Sequence, residues 1–209
     1  MRQKLFVAIA IAAGVTLVVL LALVYRQVVT TSEALVFKSP IVATQDFGQR
    51  WLPDAGVTDH LGKPRQLEDF RGKVVLLFFG YTQCPDVCPT ALYRATQVMS
   101  LLGPQADQVQ ILFMSLDPQR DTQELLANYV PAFDSRFVGL RPKPEAVPEL
   151  AKQFRVFYRI NPGSTPSTYT LDHGVTTYAY DPSGKLRLAI GHSTSAEDVT
   201  ADIKTLLSL

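Results

Sequence analysis

The sequence predicts an α/β domain carried behind a single membrane-spanning helix, and three observations predict it. An uncharged run occupies residues 5–25. Farther on, short apolar runs rich in β-branched and aromatic residues alternate with stretches of helical character, the pattern of strands crossed over by helices. One of those runs, Val74-Val75-Leu76-Leu77-Phe78-Phe79, leads directly into a turn that holds both cysteines of the chain, Cys84 and Cys88.

Residues 1–25 make the expected transmembrane anchor. Its uncharged run spans about 32 Å as a helix, enough for a hydrocarbon core of about 30 Å. Arg2 and Lys4 precede it, so the positive-inside rule predicts a cytoplasmic N-terminus and everything else outside. In a bacterial cell that means an inner-membrane protein whose domain faces the periplasm. A cleaved signal peptide is the competing reading, with Ser32-Glu33-Ala34 as its cleavage site. The run is longer than the usual signal core of about 7–15 residues, and that site lies well past its end. Residues 26–39 read as a polar stalk.

Residues 40–209 form one domain, with Phe47 and Trp51 expected to pack on its edge. Residues 57–67, centred on Gly62-Lys63-Pro64, read as a small hairpin. Residues 73–79 form a buried strand and 88–102 a helix ended by Gly103. A second apolar strand covers 109–116, followed by a turn at Asp117-Pro118. The next helix opens at Asp121-Thr122-Gln123-Glu124, whose acid and Glu have capping-box spacing. Residues 137–140 read as a short strand, 144–154 as a helix, and 156–160 as a strand before the loop 161–168. Residues 176–180 and 186–190, joined by Asp181-Pro182-Ser183-Gly184, form a hairpin, and 195–207 a closing helix. Strand, helix, strand, further helix, antiparallel hairpin and final helix is the thioredoxin-like order with insertions.

A strand-to-helix turn sets the two thiols at a helix N-terminus, where the macrodipole favours thiolate. With Cys84 at the mouth and Cys88 about one turn inside, both sulfurs fall on one side of the helix start. They can close a disulfide or grip a soft metal, but not both at once. The domain is long enough to bury a core without staples, so the pair reads as working chemistry. The chain has 20 basic and 19 acidic residues, and Arg2 and Lys4 precede the first acid, Glu33. The exported part is therefore near neutral and makes no electrostatic case for nucleic acid. No phosphate-cradling glycine loop, Ser/His/Asp series or paired carboxylate site is recognisable. A structural zinc site wants four protein ligands, and no histidine follows Cys88 as haem attachment requires.

The stretch Tyr81-Thr82-Gln83-Cys84-Pro85-Asp86-Val87-Cys88-Pro89 resembles the copper motif of the Sco/SenC family, membrane-anchored copper proteins that help assemble cytochrome c oxidase. Asp69-Phe70-Arg71-Gly72-Lys73, Ser115-Leu116-Asp117-Pro118-Gln119-Arg120-Asp121-Thr122 and Leu171-Asp172-His173 match in order. Gln83 and Gly174 depart from the pattern; many relatives have His and Ser there. The resemblance implies copper held by Cys84, Cys88 and His173, in a metallochaperone that delivers the ion to the copper-site subunit of cytochrome c oxidase. Copper(I) is soft and accepts low coordination numbers, so two thiolates and one imidazole suffice.

The bland alternative for His173 is a buried imidazole held by a main-chain carbonyl. His60, near Gly62, and His192, after Gly191, read as solvated loop residues. Asp86 either adjusts the charge at the site, as a possible outer partner of the ligands, or only caps the helix. Asp117 and Arg120 are expected to organise the following turn, and Phe79 and Tyr81 to pack. The competing function is a membrane-anchored thiol–disulfide oxidoreductase, in which Cys84 and Cys88 keep partner cysteines reduced through a mixed disulfide. A peroxiredoxin-like peroxidase is a weaker third. Dithiol exchange has no need of a distant imidazole, whereas copper does.

Overall fold

The computed structural model describes residues 14–23, 36–41, 55–163, 165 and 168–209. The chain divides into two units, Met1–Val36 and Phe37–Leu209. In the first, residues 14–23 are helical and exposed. Among the described residues no helix is long and apolar enough to cross a membrane. The anchor expected over 1–25 and the stalk over 26–39 lie largely outside the described residues, as do Phe47 and Trp51.

The second unit is built on strands β1 (Thr58–Asp59), β2 (Val74–Gly80), β3 (Val109–Ser115) and β4 (Val138–Arg141). Two short strands follow, β5 (Tyr158–Asn161) and β6 (Thr170–His173), and then β7 (Thr177–Tyr180) and β8 (Leu186–Ile190). Six of them form a sheet of order β1-β4-β3-β2-β7-β8, while β5 and β6 pair separately. β2, β3 and β4 are parallel, β1 and β7 run antiparallel to them, and β8, antiparallel to β7, returns to their direction. Among the described residues four α-helices pack around this frame: α1 (Val87–Leu102), α2 (Gln123–Tyr129), α3 (Val147–Gln153) and α4 (Ala196–Leu207).

Strand β2 is buried along its whole length because both faces of the sheet are covered. Val74, Leu76 and Phe78 face one core with α1 and α4; Val75, Leu77 and Phe79 face the other with Phe154 and Tyr178. Each such side chain contributes about 1.5–3 kcal/mol by leaving water. Period-two alternation thus splits one continuous apolar run between two cores.

Two local readings need correction, and the 57–67 hairpin stands. The 57–67 hairpin forms: an antiparallel Thr58–Pro64 bridge is flanked by the Asp59 and Arg65 amides donating to Lys63 O and Val57 O at 2.8 and 2.9 Å, and β1 also pairs with β4. The hairpin is closed by Asp59, whose carboxylate accepts from the Leu61 and Lys63 amides at 2.9 Å each and pairs with Arg65 at 2.8 Å, pulling the chain into a tight turn. Residues 67–70 form a 3-10 turn. Thr122, not Asp121, caps α2, its hydroxyl accepting from the Leu125 amide at 3.2 Å. His60 is buried, not solvated: its Nδ1 accepts the Gly139 amide at 3.0 Å.

Candidate metal centre

Helix α1 carries the deeper cysteine. Its buried stripe runs Cys88, Ala91, Leu92, Ala95, Val98, Met99, Leu102, the three-and-four spacing of a core-facing helix. Cys88 is the first residue of that stripe, so its sulfur points inward and is fully buried. Pro89 is tolerated because the first helical turn has no intrahelical acceptor for its missing N–H. The sulfur lies against the end of β2, where the residue is Gly80. A Cβ there would sit 2.6 Å from Cys88 Sγ and 2.9 Å from the Phe113 ring. Only glycine leaves room for the sulfur.

Cys84 stands one turn earlier, in the loop between β2 and α1, closed by its amide bonding to Tyr81 O at 3.2 Å. That loop is held from below by Asp121. The buried carboxylate accepts from the Thr82 amide at 3.1 Å, the Thr82 hydroxyl at 2.6 Å and the Ser115 hydroxyl at 2.6 Å. Burial pushes the Asp121 carboxyl above its ordinary value, and the Ser115 and Thr82 bonds oppose that rise.

His173 ends β6, outside the main sheet. Its Nδ1 lies 2.9 Å from Gly174 O, and a carbonyl only accepts, so Nδ1 is the protonated nitrogen. Nε2 is left with a free lone pair, 3.3 Å from Cys88 Sγ. Tyr81 sets the ring: it meets the imidazole edge-on at 5.8 Å, and its hydroxyl accepts the Leu171 amide at 3.3 Å. Phe78 meets the ring from another side at 6.0 Å. The ligand-type atoms of Cys84, Cys88 and His173 lie within 4.8 Å of one another.

The two thiols differ. The Cys88 thiol donates to the Cys84 sulfur and, with the Asp86 and Cys88 amides, pulls its pKa well below the thiol range against the opposing effect of burial. The same bond, with burial, drives Cys88 far upward. The reduced pair therefore holds one negative charge, on the sulfur nearer solvent. Such a set can bind a soft cation, or attack a disulfide, through Cys84.

The three site residues chosen from the sequence come together. Asp86 takes the N-cap position, but its side chain makes no capping bond; it acts on Cys84 through its amide. His192 and His60 stay out of the cluster. Tyr81 does more than pack, because its ring and hydroxyl locate β6. Gly80 was legible, in principle, as the one small residue ending a run of large ones. Tyr169, described below, gave no sequence signal.

The SCO1/SenC family profile matches residues 44–208. A mouse relative, the mitochondrial protein SCO2 homolog, is 37% identical over 153 residues, covering 72% of this chain and 60% of its own length. The human mitochondrial SCO1 homolog is 34% identical over 71% of the chain, and that match covers 50% of the human protein. The chain thus spans about half to three fifths of these relatives. Among solved structures, Bradyrhizobium japonicum ScoI with copper bound superposes at TM-score 0.67 with 36% identity, covering 72% of this chain and 96% of that one. Apo Sco1 from Thermus thermophilus superposes at 0.72 with 35% identity, covering 84% and 100%.

Proposed function

This chain belongs to the SCO1/SenC family, and on that premise we propose that its second unit is a copper carrier serving cytochrome c oxidase assembly. The ion is held by Cys84, Cys88 and His173 and handed to the oxidase's copper-site subunit. The convergence of three donor atoms within 4.8 Å carries this reading. A flat three-coordinate ion with bonds of about 2.3 Å separates its donors by roughly 4 Å, so little rearrangement closes the set on one ion. Two sulfurs and an imidazole favour a soft ion such as copper(I) over hard cations.

Transfer runs by ligand exchange. Cys84, nearer the rim, is the ligand a partner thiolate displaces first, while Cys88 and His173 hold the ion from behind. Residues 1–25 anchor the carrier in the inner membrane with the domain in the periplasm, which confines its search for a membrane partner to two dimensions. Copper counted after dialysis tests the binding step. One ion per reduced chain and none in the disulfide form is the expected result; equal copper in both overturns it. An export-dependent reporter fused behind Leu209 tests the location, and an inactive reporter rejects it.

The asymmetry of the thiols supports a second reading, reduction of a partner disulfide. Cys84 thiolate attacks one partner sulfur and expels the other as thiolate, forming a mixed disulfide. Cys88 then attacks Cys84, losing its proton to the leaving partner thiolate, so two electrons reduce the partner and oxidise the pair. The two readings part at His173. In cells lacking the protein, full recovery of oxidase activity by the His173→Ala variant favours dithiol exchange over copper delivery.

A further inference from the structure

The turn between β3 and α2 carries a residue that touches both the Cys84 loop and the segment leading to His173. The Arg120 guanidinium lies over the Tyr169 ring at 3.6 Å and over the Tyr81 ring at 5.7 Å. Its Nη1 donates to Tyr169 O at 2.7 Å and to Gln83 Oε1 at 3.2 Å. Its Nε pairs with Asp117, which in turn accepts the Tyr169 hydroxyl at 2.6 Å. Gln83 immediately precedes Cys84, and Tyr169 immediately precedes the strand that ends in His173.

We propose that Arg120 is a positioning residue that latches the β5–β6 hairpin to the Cys84 loop and so holds His173 Nε2 over the two sulfurs. This rests on the copper reading above. The hairpin needs such a latch because Leu171 is the only residue of β5 and β6 that is buried. Packing alone holds it weakly, and directional contacts must supply its orientation. A planar cation suits the task. It stacks on one face while its edges donate in three fixed directions, which an ammonium on a flexible stem does not do. Partners one step outside a metal's ligands, when removed, typically cost 10–100-fold in affinity.

The test compares wild type, Arg120→Ala and Arg120→Lys in the reduced full chain, each with and without His173→Ala. Copper affinity is read by chelator competition and the His173 ring by nitrogen-edited NMR of the metal-free protein. Arg120→Ala is expected to lower affinity about 10–100-fold and to shift the His173 ring signals toward those of a free histidine. Arg120→Lys should not rescue either. On top of His173→Ala, loss of Arg120 should add less than about twofold, because the latch works through that histidine.

Unchanged affinity with unchanged ring signals overturns the proposal. So does an equal loss in the His173→Ala background, which would mean that Arg120 supports the cysteines or the fold. Should Arg120→Ala fail to fold with Asp117 left unpaired, the double variant Asp117→Asn, Arg120→Gln carries the same expectations with no buried charge. If wild type binds no copper, the copper reading fails by itself, and the metal-free ring signals still decide the role of Arg120.

Discussion

Strand β2 and the β5–β6 hairpin both supply the site, and they are held in opposite ways. β2 is buried at all seven positions, paired on both sides, and its residues feed two cores. The hairpin buries Leu171 alone, pairs only with itself, and meets the rest of the site through contacts of its strand β6 with Phe78, Tyr81 and Cys88 and, at the preceding Tyr169, with Arg120 and Asp117. Cys88, at the start of α1, therefore packs against a fully buried strand, whereas His173 ends a hairpin that buries a single residue. The same metal set joins a fixed dithiol to a histidine whose position depends on a few polar contacts.

Removing the fixed side should have the largest effect. Cys88→Ser, and likewise Cys84→Ser, should leave no copper after dialysis, because a hydroxyl is a hard donor that copper(I) binds poorly. Retention of a full equivalent by either variant breaks the comparison at its base. Removing the lightly held side should cost less: His173→Ala is expected to weaken copper roughly a hundredfold, at or above what outer partners cost, while Cys84 and Cys88 still form their disulfide. Chelator competition beside a thiol-exchange assay separates the two outcomes. If His60→Ala matched the loss, the ligand assignment would be wrong.

Stability effects come next. Gly80→Ala places a methyl within 2.6 Å of the Cys88 sulfur, in a strand that cannot shift. It should destabilise the domain by about 1–3 kcal/mol, as overpacking does, measured by urea unfolding of the reduced protein. Gly174→Ser meets nothing closer than 3.8 Å and should be nearly neutral, which makes it the hairpin's matched control. Tyr81→Phe deletes the acceptor of the Leu171 amide and should cost about 1 kcal/mol. The loss should show as faster hydrogen exchange confined to β5 and β6; uniform acceleration across the sheet would erase the distinction between the regions.

The most gradual effect is spread over pH. The folded Cys84 thiol is depressed, so its contribution is fully present above the unfolded value of about 8.5. It is lost as pH falls through the lowered folded value. Reduced wild type should therefore gain stability over Cys84→Ser as pH rises from the folded value, about 4, toward the unfolded value of about 8.5. Cys88, raised in the fold, should stay protonated throughout. Ultraviolet thiolate absorbance should count one thiolate, not two, near neutral pH.

The order of strands and helices was legible because its signals are local. Apolar runs at residues 73–79 and 109–116, the Gly103 stop and the Asp181–Gly184 turn each act over a few residues, and the elements follow them within a residue or two. The cysteine turn was legible for the same reason, since two cysteines four residues apart between a strand end and a helix start place both sulfurs by local geometry. His60 was misread because its neighbour Gly62 marks a turn, whereas its burial depends on Gly139, far along the chain. Asp121 was misread as a cap because the spacing was right, and the pull of Thr82 and Ser115 on its carboxylate lies outside that window.

From residues alone the chain determined an α/β domain, a dithiol at a helix start, and three histidines from which a third donor had to come. Family resemblance, not periodicity, singled out His173. Only the tertiary structure decided how it arrives. A separate hairpin crosses 85 residues of sequence to bring Nε2 within 3.3 Å of Cys88, Gly174 O fixes its tautomer, and Arg120 with Tyr81 fixes its place. Contacts across such a separation are chosen by which surfaces fit when the whole chain has collapsed, and no local pattern encodes that fit.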